Sequence, residues 1–131
     1  MPTIEGVHHV SFAVQDADRS AEFYTGVLGM KLVRQSDDET LRGRLLIHPD
    51  SGLVVGLRQN LEHPDGAFSE FRTGLDHISF RVPSREDLEE WQQRLDEAAV
   101  HFTPIVDTGS ALVLVFRDPD NIQLEFYLPT A

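Results

Sequence analysis

The chain has 131 residues, 40% of them hydrophobic, with 22 acidic against 11 basic side chains, a net charge of −11 and no cysteine. That length supports one ordinary core; the missing cysteine excludes disulfides, thiolate metal sites and thiol nucleophiles, and the acidic balance argues against nucleic acid, whose phosphates require a basic face. No apolar run approaches the roughly eighteen residues of a membrane helix, and MPTIEG is not a basic stretch leading into an apolar one, so a cytoplasmic protein without a membrane partner is expected.

The first element is GVHHVSFAV at 6–14. Its alternation predicts a strand with Val10, Phe12 and Val14 on one face and His9, Ser11 and Ala13 on the other. QDADRSAEFYTGVLGM follows with helical period: Asp16 or Asp18 as N-cap, a stripe of Ala21, Tyr24 and Leu28, and Gly29 as the stop. LRGRLLIHPDSGLVVGLRQ reads as strand, turn at HPDSG, and strand. The segment NLEHPDGAFSEFRTG has no clear period and is long for a plain connection; Phe68 and Phe71 are read as anchoring it, with covering a site as the alternative.

The pattern then begins again. GLDHISFRV at 74–82 carries Ile78, Phe80 and Val82 opposite His77, Ser79 and Arg81. In PSREDLEEWQQRLDEAAV, Ser84 and Asp87 form a helix start, and Leu88, Trp91, Leu95 and Ala98 form the buried stripe. ALVLVFRDPDNIQLEFYL is a second strand, turn and strand. The two series match at an offset constant to within about two residues, which favours duplication over coincidence. The expectation is a single α+β domain over 1–131 made of two modules, about 5–60 and 75–128, joined by a linker of about 60–74.

In the last strand Ile122, Leu124 and Phe126 alternate with Gln123, Glu125 and Tyr127, so Glu125 leaves the sheet on its less apolar face, as His9 and His77 do. Two histidines and one carboxylate with open positions left over suit a divalent transition metal that also admits a substrate. A lone strand histidine is more often a surface or satisfied core residue than a ligand; equivalent histidines on matching faces, with a carboxylate on the matching face of a third strand, favour the metal. His8 is read as structural, and His48, His63 and His101 have no counterpart in the other half. Arg58, Arg81 and Tyr127 share the faces of the proposed ligands and could orient an anionic or phenolic group, or be solvated and ion-paired. Gly56 stands where Glu125 stands in the second series, so a fourth symmetric ligand is missing. No GxSxG, GxGxxG or P-loop is present.

HHVSFAVQDADRSAEFYTGVLGMKLV, GLDHISFRV and FRDPDNIQLEFY together resemble the vicinal oxygen chelate superfamily, which includes glyoxalase I, bleomycin-resistance proteins, fosfomycin-resistance thiol transferases and extradiol dioxygenases. The resemblance implies paired βαβββ modules whose curved mixed sheets form a half-barrel crevice, usually in a homodimer. By motif position it implies His9, His77 and Glu125 as ligands of Fe, Mn, Ni, Co or Zn, acting on a small-molecule substrate. Gly56 falls where a glyoxalase I carries a second glutamate, which argues against that activity in its usual form. The function expected is a metal-dependent enzyme for a small oxygen-chelating metabolite or antibiotic, by dioxygenation, isomerisation or lysis, or thiol transfer. The alternative is a non-catalytic protein that sequesters an antibiotic or aromatic ligand, as bleomycin-resistance proteins do.

Overall fold

Each half of the chain folds as strand, helix and three further strands. In the computed structural model, which describes residues 1–62 and 66–130, the first half contains β1 (Val10–Ala13), α1 (Ala17–Gly26), β2 (Lys31–Asp37), β3 (Leu41–Ile47) and β4 (Val54–Asn60). The second contains β5 (Ile78–Arg81), α2 (Arg85–Glu97), β6 (Phe102–Asp107), β7 (Ala111–Arg117) and β8 (Gln123–Pro129). They form two compact units, Met1–Gly66 and Ala67–Ala131. His63 of the linker lies outside the described residues.

Unit one has a four-stranded sheet in the order β1-β4-β3-β2, and unit two one in the order β5-β8-β7-β6. The helix after the first strand carries the chain to the far edge of the sheet, and two hairpin connections bring it back. The last strand therefore lies parallel to the first, while the other neighbours are antiparallel. The expected α+β pair of βαβββ modules is present. No helix among the described residues is long and apolar enough to cross a membrane.

The helices begin where their capping residues require. Asp16 accepts from the backbone N–H groups of Asp18 and Arg19 at 3.1 and 3.0 Å, and Gln59 of β4 accepts from that of Ala17 at 3.0 Å, satisfying three donors with no partner in the first helical turn. Ser84 accepts from the Asp87 amide at 3.2 Å and donates back to its carboxylate. Gly29, at φ 74°, ends the first helical segment, where a side chain would be strained.

The helix-facing side of each sheet is the core. Phe12, Tyr24, Leu46, Val55 and Leu57 are buried in unit one, and Leu88, Leu95, Leu114, Phe116, Leu124 and Phe126 in unit two. Trp91 stacks on Phe126 with ring centroids 4.5 Å apart, and Phe116 stacks on Phe126 at 5.0 Å. Each such side chain contributes roughly 1.5–3 kcal/mol on leaving water. Ala98, expected in the buried stripe, is exposed instead, because α2 ends at Glu97 and Ala98 is its C-cap.

The DPDN turn anchors the linker. Asp118 accepts from the Asp120 and Ile122 amides at 2.8 and 2.9 Å. Asp120 and Asn121 then hold Phe68: its N–H donates to the Asp120 carbonyl at 2.7 Å, and the Asn121 side-chain amide donates to its carbonyl at 3.2 Å. Phe71, also expected to anchor the linker, is 96% exposed instead.

Candidate metal-binding face

In unit two, the parallel register of β5 and β8 sets Ser79 against Glu125 and Arg81 against Tyr127. On the other side of β8, Val115 of β7 lies opposite Glu125 and Val113 opposite Tyr127. His77 immediately precedes β5, and Nε2 of its ring is 3.5 Å from Oε1 of Glu125. The glutamate side chain is only 11% exposed and the histidine 38%, so the pair lies at the boundary of the buried sheet and solvent. Nδ1 of His77 is 2.8 Å from a carboxylate oxygen of Asp76.

This donor set fits a divalent ion. With metal–ligand bonds of about 2.0–2.2 Å, two neighbouring ligand atoms on one ion stand about 3.0–3.5 Å apart, close to the separation of Nε2 and Oε1. A histidine that bonds a metal through one nitrogen commonly donates from the other to a carboxylate, as His77 can to Asp76. Among the described residues, no group of three or more His, Asp or Glu is gathered as a metal cluster, so the structure brings together a pair.

Unit one repeats this layout with different side chains. Ser11 lies against Gly56 and Ala13 against Arg58 in the parallel pair of β1 and β4, with Leu45 and Gly43 of β3 on the far side. Gly56 thus holds the register position that Glu125 holds in unit two. A Cβ there would meet the Ser11 hydroxyl oxygen at 2.5 Å. His9 immediately precedes β1, is exposed, and has its Nδ1 2.9 Å from Nδ1 of His8. Arg58 and Arg81 are exposed and Tyr127 is half-buried.

Three polar groups were not singled out from sequence. Asp76 stands before His77 as His8 stands before His9, and its contact with the neighbouring ring is a matter of rotamer and not of strand period. Arg117 extends the face of Val113 and Val115 on β7 and donates to Gln123 at 3.0 Å and to Glu70 at 3.2 and 3.4 Å. The hydrogen bond from Arg117 holds the Glu70 carboxyl below its ordinary range. Arg44 is buried on the helix side of β3, where it bonds Asp18 of α1 at 2.9 Å and Asp37 of β2. Its place beside Leu46 in the alternation of β3 was the available signal.

Known proteins share this architecture. The crystal structure of a glyoxylase/bleomycin resistance protein/dioxygenase domain from Frankia sp. EAN1pec is 38% identical, covers 97% of this chain and 99% of its own, and superposes with a TM-score of 0.90. A Bacillus subtilis protein provisionally named as the ring-cleaving dioxygenase MhqA is 31% identical over 92% of this chain, but the match spans only 39% of that protein's length. The lactoylglutathione lyase of Pseudomonas aeruginosa is 30% identical, over 90% of this chain and 79% of the lyase. A family model matches residues 6–126, nearly all of both modules, and the chain belongs to the Glyoxalase/Bleomycin resistance protein/Dioxygenase superfamily, the vicinal oxygen chelate proteins.

Proposed function

We infer that the protein is a metal-dependent enzyme acting on a small substrate that presents neighbouring oxygen atoms, with His9, His77 and Glu125 as the metal ligands. The observation that carries this reading is the pair formed by His77 Nε2 and Glu125 Oε1 at 3.5 Å, with the other ring nitrogen of His77 beside Asp76. The divalent ion, one of Fe, Mn, Ni, Co or Zn, would supply Lewis acidity toward the substrate oxygens when bound. Glu125 is buried, which limits competition from water for its carboxylate. Arg81 and Tyr127, register neighbours on the same face, are proposed to orient an anionic or phenolic group. Arg58 has the corresponding role in unit one, beside Ala13 and Gly43.

A homodimer belongs to this reading. β2 is exposed along its whole length, and Leu32 and Val33 are 40% and 56% exposed, a surface that a second copy could cover.

A second reading, sequestration of an antibiotic or aromatic ligand without chemistry, draws support from Gly56, which leaves unit one without the carboxylate of unit two. Metal content per chain of untagged protein, beside a His77→Ala variant, separates the two. Near-stoichiometric metal that is lost in the variant supports the enzyme. No metal in either protein after incubation with Mn, Fe, Ni or Zn overturns it and leaves sequestration.

A further inference from the structure

We propose that Asp76 is a positioning residue that fixes the imidazole of His77 as its Nδ1–H tautomer, leaving Nε2, the nitrogen on the Glu125 side of the ring, unprotonated and open to a cation. The argument begins with hydrogen-bond chemistry. An ionised carboxylate can only accept, so a ring nitrogen 2.8 Å from the Asp76 oxygen must donate. A neutral imidazole has one N–H, and of its two carboxylate neighbours Asp76 at 2.8 Å is at hydrogen-bonding distance while Glu125 Oε1 stands at 3.5 Å, so the proton belongs on Nδ1 and Nε2 is the lone-pair nitrogen. The two carboxylates thus act on opposite nitrogens of one ring.

Unit one shows what the same place looks like without a carboxylate. There His8 stands where Asp76 stands, and its Nδ1 is 2.9 Å from Nδ1 of His9. Either ring can donate in that contact, so His8 permits both tautomers of His9, whereas Asp76 permits one of neutral His77. The asymmetry gives unit two the pre-set nitrogen of the two modules. The Asp76 side chain is 63% exposed and unit two does not depend on it for its core, so its removal should leave the fold intact.

The tautomer claim stands on the metal-free protein; its consequence for metal affinity rests on the function proposed above. The experiment uses the full chain, ¹⁵N-labelled and metal-free, at about pH 8, above the ordinary histidine range. Long-range ¹H–¹⁵N spectra, with the His77 ring assigned through His77→Gln, report which nitrogen carries the proton. Wild type should show Nδ1–H. Asp76→Ala should shift His77 toward Nε2–H, and Asp76→Asn, whose amide oxygen can still accept, should restore the wild-type pattern. Titration with Mn(II) alone should then show about a 10–100-fold loss of affinity in Asp76→Ala and a smaller one in Asp76→Asn. An unchanged His77 tautomer in Asp76→Ala, or Mn(II) bound as tightly by that variant as by wild type, overturns the proposal. If wild type binds no Mn(II), the metal-dependent function fails, and the tautomer comparison still decides the role of Asp76.

Discussion

The Ser11 hydroxyl oxygen stands 2.5 Å from where a Cβ on Gly56 would be, in the register position that pairs Ser79 with Glu125 in the other unit. The serine fills space that its counterpart shares with a glutamate. A side chain at 56 therefore requires the Ser11 hydroxyl to turn to another rotamer, which is a modest strain and not a backbone clash. Gly56→Ala should be less favourable with Ser11 present than in a Ser11→Ala background, with a coupling of about 0.5–1.5 kcal/mol. Urea midpoints of the four proteins in that cycle measure it, and additive effects would show that Ser11 does not control the position.

Glu125 should trade stability against metal binding. Its side chain is 11% exposed, and taking an ionised carboxylate out of water costs more than taking out an amide of the same shape. Glu125→Gln is expected to leave the metal-free protein as stable as wild type, or more stable by up to about 1 kcal/mol. Wild type at an Mn(II) concentration of about a hundred times Kd should gain about 2.7 kcal/mol, and the variant should gain little at the same concentration. Thermal unfolding with and without Mn(II) checks both halves.

Acid should weaken unit one through Arg44. The hydrogen bond from its guanidinium is the main reason the Asp37 carboxyl is held below its ordinary value of 3.8, and both carboxyl oxygens face that group. A depressed carboxyl adds stability that is complete above the unfolded-state value and is lost as pH falls through the folded-state value. Wild type should hold this contribution above about pH 5 and lose it progressively below about pH 4. Arg44→Met, which fills the same buried space without the charge, should flatten that acid limb, as followed by urea unfolding across the range.

The DPDN turn should be sensitive to Asp118. Its carboxylate accepts two backbone amides, from Asp120 and Ile122, in a buried setting. Asp118→Ala leaves both donors without that partner and should cost about 2 kcal/mol or more. Asp118→Asn, which keeps an accepting oxygen, should cost about half as much. Since the same turn holds Phe68 through the Asp120 carbonyl, the Phe68 amide should exchange faster in Asp118→Ala.

Most of the architecture was legible in local periodicity. The repeated alternation of GVHHVSFAV and GLDHISFRV, and the change to helical period after each, marked β1, α1, β5 and α2, and the caps at Asp16 and Ser84 form as their chemistry predicts. β2 was harder to see by itself: all seven of its residues are exposed, so no buried face imposes an alternation on the sequence. β6 was hidden by the shift in register between Thr103 and Val106, where the pattern breaks around Pro104 and the Ile105 amide bonds Gln92 of α2 instead of a strand.

By itself, the sequence determined that Glu125 alternates with the apolar residues of its strand and that Gly56 answers to it, because the side-chain period of a strand is set by backbone geometry alone; His9 and His77 fall just before β1 and β5, where that period does not reach. Only the tertiary structure decided that Glu125 is buried within 3.5 Å of His77, that Asp76 takes the other nitrogen of that ring, and that Ser11 occupies the space above Gly56. These depend on the register between β1 and β4 and between β5 and β8, strands separated by a helix and two hairpin connections. Pairing across such distances is settled by the packing of each whole unit, which a local pattern of residues does not contain.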